Sequence, residues 1–196
     1  MAQVPASVTA DSRLTRQRIE CGPNSPGSSF RLPDDIDLSL AAGQHDDVHY
    51  MERALAQARH AAAIGEVPVG AVLFRNGSVL AEAHNLIETT PNATAHAEML
   101  VLNEAARLTQ SWRLEGVTLY VTLEPCPMCA GAMVLARISR LVYGAPDPKK
   151  GAVDSVYDVL RHPANNHRVD VSSGVLAEPS GRLLREFFAA RRGRSS

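Results

Sequence analysis

Two short motifs constrain the fold of this chain, because their side chains together form one metal-binding set. His96-Ala97-Glu98 supplies an imidazole and a carboxylate, and Cys126-Pro127-Met128-Cys129 supplies two thiols. Imidazole nitrogen and cysteine sulfur are usual ligands of zinc in proteins. Three protein ligands leave a fourth position open to water, which is the arrangement of a catalytic rather than a structural zinc. The pair of motifs therefore predicts metal-assisted hydrolysis.

The first motif is expected at the start of a helix. Thr94 can cap a helix over residues 95–108, which would place His96 and Glu98 in its first turn. Glu98 is two residues from His96, close enough to take a proton from a metal-bound water. We therefore expect Glu98 to transfer protons rather than bind the metal.

The second motif is also expected at a helix start. Pro125 or Pro127 opens a helix that continues to about Ala136, with Cys126 at its beginning and Cys129 one turn later. The N-terminal end of a helix carries unpaired N–H groups and partial positive charge, which stabilise thiolates. Both cysteines are therefore predicted to bind metal as thiolates.

Other interpretations of these motifs remain open from the residues alone. The Cys-x-x-Cys pair could be half of a structural zinc ribbon, although the chain has only one further cysteine. It could be a thioredoxin-like redox pair, since it follows a predicted strand and opens a helix. His96 could be a hydrogen-bonded core histidine. The prolines around Cys126 and the preceding His-x-Glu favour the catalytic zinc site.

Composition bounds the class of protein. The chain has 196 residues, of which 45% are hydrophobic and 21% charged, as expected for one soluble globular domain. No apolar run is long enough to span a bilayer, and the first thirty residues lack the apolar core of a signal peptide. Two of the three cysteines lie in one motif, which is typical of a reducing compartment. We predict a cytoplasmic protein that makes no membrane contact.

The amino-terminal part differs from the rest of the chain. Residues 1–44 lack apolar periodicity, and residues 21–29 are dense in Gly, Pro, Ser and Asn. Such a segment cannot bury enough apolar surface to offset its ordering entropy. We predict a disordered extension over residues 1–44, a folded domain over 45–192 and a short tail over 193–196. A start of translation near Met51 is an alternative, and Cys21 is not expected to bind metal.

Strands and helices alternate along the predicted domain, which indicates an α/β fold whose sheet is covered on both faces. Asn76-Gly77 is a strong hairpin signal between the first two strands. Strands are predicted over 67–74, 78–83, 117–123, 139–143 and 169–171. Besides the two motif helices, helices are predicted from about Asp47 to Gly65, shortly after a loop at 147–151, and over 180–192.

Longer stretches around the motifs resemble the bacterial tRNA-specific adenosine deaminases of the cytidine deaminase superfamily. The resemblance covers about residues 47–192. It implies a three-layer α/β/α cytidine-deaminase-like fold with a central mixed five-stranded sheet, one zinc ion per subunit and a homodimer. The matching segments are 65–72, 95–98, 122–132, 143–147, Asn166-His167-Arg168-Val169 and Phe187-Phe188 with Arg191-Arg192.

The resemblance also implies a reaction and the residues that perform it. The wobble adenosine of a tRNA anticodon would be deaminated to inosine, with His96, Cys126 and Cys129 as zinc ligands and Glu98 as the proton shuttle. Backbone amides between Glu124 and Cys126 would stabilise the tetrahedral intermediate. The substrate-binding residues implied are Asn85, Asp147, Lys149, Asn166, Phe187, Phe188, Arg191 and Arg192.

Alternatives and departures accompany this resemblance. Ile87 stands where relatives often carry arginine, and Asn92-Ala93-Thr94 replaces their Asp-Pro-Thr. Asn85 and Asp147 could be simple turn residues, and the two phenylalanines could be core residues. The same metal motif serves enzymes that deaminate free cytosine, cytidine or guanine. A non-catalytic zinc or redox module is a more distant alternative.

The carboxyl-terminal end carries positive charge. The last fifteen residues hold five arginines and one glutamate, although the whole chain has a net charge of −1. Clustered arginines favour contact with phosphate groups. A solvated helix end whose arginines complement the helix dipole is the alternative.

Overall fold

The computed structural model describes residues 38–194, which form four helices and five strands. Residues 1–37, most of the predicted extension, lie outside the described residues. The elements are α1 Leu38–Ala63, β1 Gly70–Arg75, β2 Ser78–His84, α2 Ala97–Thr109, β3 Thr118–Leu123, α3 Pro127–Ala136, β4 Arg140–Ala145, β5 Asp170–Ser173 and α4 Ala177–Arg194.

The five strands form one mixed sheet in the order β2-β1-β3-β4-β5. β1 pairs antiparallel with both β2 and β3, whereas β3, β4 and β5 run parallel to one another. Parallel neighbours require long crossovers, and α3 supplies the crossover from β3 to β4. The predicted mixed five-stranded sheet is confirmed.

Helices cover the two faces of this sheet, so the fold has three layers. Alternate residues of a strand point to opposite faces. Tyr120 of β3 shares a buried cluster with Met51 of α1, while its neighbour Leu119 shares another with Val101 of α2 and Met133 of α3. α4 contacts α1, β3 and β4, so it lies on the α1 side. The predicted α/β/α architecture is confirmed.

The hairpin between β1 and β2 follows from its two turn residues. Asn76 and Gly77 both have positive φ, 51° and 81°. This left-handed conformation suits asparagine and glycine, and its twist matches that of the flanking strands. Arg75 therefore pairs directly with Ser78.

Several element boundaries differ from the sequence predictions. α1 begins at Leu38, nine residues before the predicted start, so residues 38–44 are helical. β1 begins at Gly70 rather than residue 67. A Cβ atom at Gly70 would lie 2.1 Å from the carbonyl oxygen of Ala54, so α1 crosses the strand here in direct backbone contact. Glycine at the first residue of β1 therefore allows α1 to pack directly on the strand.

The segment between β4 and β5 is also different. The predicted short helix after residue 151 is wrong, because the structure places turns and irregular backbone between Ala145 and Asp170.

The last helix, α4, begins at Ala177, before the predicted position 180. It accommodates Pro179 in its first turn, where no intrahelical N–H bond is required. No helix among residues 38–194 combines the length and the apolar character that a membrane span requires.

Candidate active site

His96, Cys126 and Cys129 come together as one cluster. His96 Nδ1 lies 3.8 Å from Cys126 Sγ and 3.6 Å from Cys129 Sγ, and the two sulfurs are 3.7 Å apart. A tetrahedral zinc site with ordinary Zn–S and Zn–N bond lengths has ligand-to-ligand distances of about 3.6–3.8 Å. The donor set and its spacing therefore fit a tetrahedral zinc ion with one further coordination position. Within residues 47–193 this is the cluster whose atoms could hold a metal.

An asparagine from outside the motif positions the His96 segment. His96 is the N-cap residue of α2, in extended conformation, but its side chain forms no capping hydrogen bond. The Ala97 amide instead donates to Asn85 Oδ1 at 2.9 Å. The His96 imidazole therefore does not cap the helix, and its Nδ1 atom faces the sulfurs of Cys126 and Cys129.

Thr94, the predicted cap of this helix, has another role. Its amide and its hydroxyl both donate to Asn92 Oδ1, at 2.9 and 2.8 Å. Asn92 thus holds Thr94 in a local turn, as asparagine side chains often do. The capping prediction for Thr94 is wrong, and the helix starts two residues later than expected, at Ala97.

The cysteines are placed by α3. Pro127 occupies the first position of the helix, where a missing N–H costs nothing, and Cys126 is the N-cap residue. Cys129 follows one turn later and is buried. Hydrogen bonds with Cys129 and His96 outweigh the effect of burial and lower the pKa of the Cys126 thiol to about 3. Cys126 is therefore predisposed to bind a cation as thiolate, whereas the hydrogen bond with Cys126 and burial raise the pKa of the Cys129 thiol.

Glu98 is the buried carboxylate beside this cluster. Its side chain is only 3% exposed, and Oε2 has no hydrogen-bond partner among the described residues. Burial raises the pKa of Glu98 above its usual value. Since buried polar atoms are nearly always paired in folded proteins, an unpaired carboxylate oxygen at a cleft indicates a group reserved for substrate.

A cleft of about 940 Å³ opens beside the cluster, and both His96 and Glu98 line it. Its volume is that of a typical small-molecule site. Five of the eight predicted substrate-binding residues also line it: Asn85, Asp147, Lys149, Phe188 and Arg192.

A family model described as "MafB19-like deaminase" matches residues 45–192. The chain belongs to this deaminase family. A tRNA-specific adenosine deaminase of Bacillus subtilis (strain 168) is 53% identical over 142 residues, which span 72% of this chain and 88% of the relative. A tRNA-specific adenosine deaminase of Agrobacterium fabrum (strain C58 / ATCC 33970) is 47% identical over 144 residues, spanning 74% and 95%. The resemblance noted from the sequence is confirmed.

A solved structure shows the same likeness in three dimensions. It comes from biochemical and structural studies of A-to-I editing by tRNA:A34 deaminases at the wobble position of transfer RNA. Its sequence is 47% identical to that of the present deaminase, and the TM-score is 0.68. The match covers 69% of this chain and 99% of the solved one.

Three predicted substrate residues of this deaminase are not among the residues that line the cleft: Asn166, Phe187 and Arg191. The Arg191 guanidinium lies 5.0 Å from the centre of the Phe187 ring and donates to the Gly65 carbonyl. This contact fixes the end of α4 to the segment before β1. Asn166 is exposed, and the adjacent His167 bonds to the Ile138 carbonyl, beyond the end of α3.

Two basic residues at the cleft were missed from the sequence. Lys150 and Arg185 both line it. Arg185 shares one helical face with Phe188 and Arg192, because the spacing 185, 188, 192 repeats with the helical period. That spacing could have identified Arg185.

The Glu124 amide does not serve the predicted purpose. It donates to the Ala145 carbonyl at 2.8 Å, continuing the pairing of β3 with β4. It is therefore not available to stabilise a tetrahedral intermediate, and that part of the prediction is wrong. The Cys126 amide remains the candidate within the predicted segment.

The Glu124 side chain, in contrast, is a buried hydrogen-bond acceptor that the sequence did not reveal. It is 1% exposed and lines the cleft at its inner side. Burial opposes its ionisation, but the Ser155 hydroxyl and several backbone amides outweigh burial and lower the pKa of Glu124 to about 2. The amide donors are Asp147 at 3.0 Å, Val153 at 3.1 Å, Asp154 at 2.7 Å and Ser155 at 2.9 Å.

Proposed function

We propose that this deaminase converts the wobble adenosine of a tRNA anticodon to inosine and releases ammonia, using one zinc ion per subunit. The observation that carries the proposal is the unpaired buried carboxylate of Glu98 beside the His96, Cys126 and Cys129 cluster. The substrate is supported by relatives at 47–53% identity that are tRNA-specific adenosine deaminases.

The chemistry requires one proton carrier and one activated water. Zinc held by His96, Cys126 and Cys129 would act as a Lewis acid that lowers the pKa of a water molecule. Glu98 takes a proton as the water oxygen adds to C6 of adenine, and delivers it to N1. Glu98 then carries the second proton of that water to the C6 amine, which leaves as ammonia. Its raised pKa suits a group that must both accept and return a proton.

The cleft rim supports an RNA substrate. Lys149, Lys150, Arg185 and Arg192 all line the cleft, so cationic groups surround its opening. Phe188, 41% exposed, presents an aromatic ring at the same rim. Cationic groups bind phosphates, and aromatic rings stack on unpaired bases. A base from a single-stranded loop can enter such a cleft at low cost, because it has no pairing to lose.

A turnover assay tests this proposal. The zinc-loaded protein is given an anticodon stem-loop with adenosine at the wobble position and, separately, free cytosine, cytidine and guanine. Inosine formation in the stem-loop alone is expected. Deamination of a free base or nucleoside with an untouched stem-loop would overturn the tRNA substrate and leave the deaminase chemistry in place.

We further propose that the enzyme is a homodimer that uses the α2–α3 surface. Three apolar side chains there are well exposed: Leu135 (74%), Trp112 (61%) and Leu108 (52%). Exposed apolar residues grouped around a groove indicate a protein contact. The groove at this surface is lined by Trp112, Leu135 and neighbouring α2 residues.

Light scattering tests the proposed dimer. The wild-type protein should have twice the mass of one chain, and the Leu135→Glu variant should have the mass of the monomer. A monomeric wild-type protein would refute the dimer.

The metal site also bears on location in the cell. Cys126 and Cys129 are free thiols that must stay reduced to bind zinc. We infer a cytoplasmic enzyme, because the cytosol keeps thiols reduced. Cell fractionation with an antibody against the chain tests this inference.

A further inference from the structure

The Glu124 carboxylate joins the two ends of one loop. We call residues 147–155, between β4 and β5, the cleft loop. The Asp147 amide at its beginning and the Ser155 amide at its end both donate to the same carboxylate. A single side chain thereby closes a segment that has no helix or strand of its own.

The residues enclosed by this closure form part of the cleft. Pro148, Lys149 and Lys150 line it, and none of them belongs to a helix or strand. A loop without regular secondary structure depends on side-chain acceptors to satisfy its backbone N–H groups. The Lys149 and Lys150 amides donate to Asp147 Oδ1, at 2.9 and 3.3 Å, and the Asp147 amide in turn donates to Glu124. The position of these residues therefore depends on Glu124 through Asp147.

Gly151 allows the cleft loop to pack directly on the carboxylate. A Cβ atom at this position would lie 2.4 Å from both Cδ and Oε2 of Glu124, and 2.6 Å from the Asp147 carbonyl oxygen. Real Cβ atoms do not approach other atoms so closely. A side chain at Gly151 would therefore have to displace either the loop or the carboxylate.

Further contacts hold the far end of the cleft loop. Asp154 accepts hydrogen bonds from the Tyr143 hydroxyl at 2.5 Å and from Arg161 at 2.7 Å. The Ala152 amide donates to the Pro125 carbonyl at 2.8 Å. Loss of the carboxylate contacts would thus loosen the loop without detaching it from β3 and β4.

We propose that Glu124 is a positioning residue for the substrate. Its carboxylate holds the cleft loop so that residues 148–150 form a fixed wall for the RNA, and it takes no part in proton transfer. This inference rests on the proposed function. Its kinetic signature is a change in KM rather than kcat, because the residue acts on binding and not on the reacting atoms.

Two variants test the proposal by different routes. Glu124→Gln replaces one acceptor oxygen by an amide that faces N–H donors. Gly151→Ala leaves the carboxylate intact but inserts a methyl group between it and the loop. With the zinc-loaded protein and the anticodon stem-loop, each variant should raise KM about tenfold and change kcat less than about threefold. The double variant should raise KM less than the product of the two, because both changes release one contact.

Tyr120→Phe is the matched control. Tyr120 lies on β3, four residues before Glu124, and its buried hydroxyl donates to Asp47 of α1; neither residue lines the cleft or contacts the cleft loop. The variant also removes a buried hydrogen-bonding group, so it costs comparable stability. It should leave KM for the stem-loop unchanged.

Amide hydrogen exchange provides a measurement that needs no substrate. The Val153, Asp154 and Ser155 amides should exchange faster in Glu124→Gln and Gly151→Ala, while the amides of β1 keep their wild-type rates. Unchanged exchange in this segment would overturn the proposal, as would a fall in kcat at constant KM or a loss of bound zinc in Glu124→Gln. If the wild-type enzyme does not deaminate the stem-loop, the proposed function is refuted. The amide exchange rates would still show whether Glu124 holds the cleft loop.

Discussion

Glu98 and Glu124 are two buried glutamates that line the same cleft, yet their surroundings differ sharply. Glu124 accepts hydrogen bonds with both oxygens, and its pKa is lowered to about 2. Glu98 Oε2 has no partner among the described residues, and burial raises its pKa. Burial alone therefore does not set the function of a carboxylate. The supply of hydrogen-bond donors decides whether a buried carboxylate stays ionised, as Glu124 does, or has the raised pKa that suits proton transfer, as Glu98 does.

The largest effect is expected from Glu98→Gln, which keeps the shape of the side chain and removes its basicity. kcat should fall by about 10³-fold or more, because the proton carrier is lost. The thermal midpoint should equal or exceed that of the wild type, since a buried carboxylate without a full set of partners no longer has to be accommodated. Steady-state kinetics and a thermal melt on the same preparation check both expectations. Activity near the wild-type level would refute the role of Glu98.

Removal of zinc should affect the region of Glu98 but not the region of Glu124. A chelator is expected to abolish turnover and to lower the thermal midpoint, because a bound ion stabilises the folded state by mass action. Re-addition of zinc should restore both. Hydrogen exchange at residues 153–155 should stay slow in the metal-free protein, because Glu124 and not the ion holds those amides. Fast exchange there after chelation would show that the two regions depend on each other.

Charge removal on the cleft loop should give a smaller effect that depends on salt. Lys149→Ala and Lys150→Ala are each expected to raise KM for the stem-loop by a few-fold and to reduce the salt dependence of binding, by about one counterion per phosphate contact. Arg107→Ala is the control, because Arg107 pairs with Glu104 on the exposed side of α2 and does not line the cleft. Titrations at several salt concentrations supply the slopes, and slopes equal to that of the control would remove these lysines from the RNA-binding surface.

The smallest expected effect is on the free energy of unfolding, for the two residues that could cap α2. Asn85→Ala should lower the free energy of unfolding by about 1 kcal/mol, because its Oδ1 accepts the Ala97 amide at the start of α2. Thr94→Ala should change it by less than about 0.5 kcal/mol, since Thr94 bonds only within its own turn. Urea denaturation of both variants decides between them. The reverse order would restore Thr94 as the cap.

The clustering of the three candidate metal ligands could be predicted because the chemistry of such a site is carried by residue type and short spacing. His96, Cys126 and Cys129 all lie in or beside first turns, and the structure brings their donor atoms within 3.8 Å of one another. The Asn76-Gly77 turn was predictable for a similar reason, because the conformation requires these residue types.

Contacts between distant segments could not be predicted in this way. Glu124 follows directly after a strand, a position where a glutamate is often exposed. The amides that donate to it lie 23 to 31 residues further along the chain. Asn85 caps a helix that begins twelve residues later, whereas the local rule selected Thr94. Both are tertiary contacts, in which a side chain from one segment accepts hydrogen bonds from the backbone N–H groups of another. A single sequence does not show which of several suitable side chains is near.

The hydrogen bond between Asn85 and Ala97 also limits what the cleft can recognise. A side-chain amide offers one acceptor oxygen and an NH2 group with two donors. The Asn85 oxygen is directed to the helix backbone, so its NH2 group is the part that remains to face a substrate. At this position we expect the cleft to donate hydrogen bonds rather than accept them. A ligand that places an N–H or O–H donor there would meet no acceptor from Asn85, so the hydrogen bond that starts the helix would also disfavour ligands of that polarity.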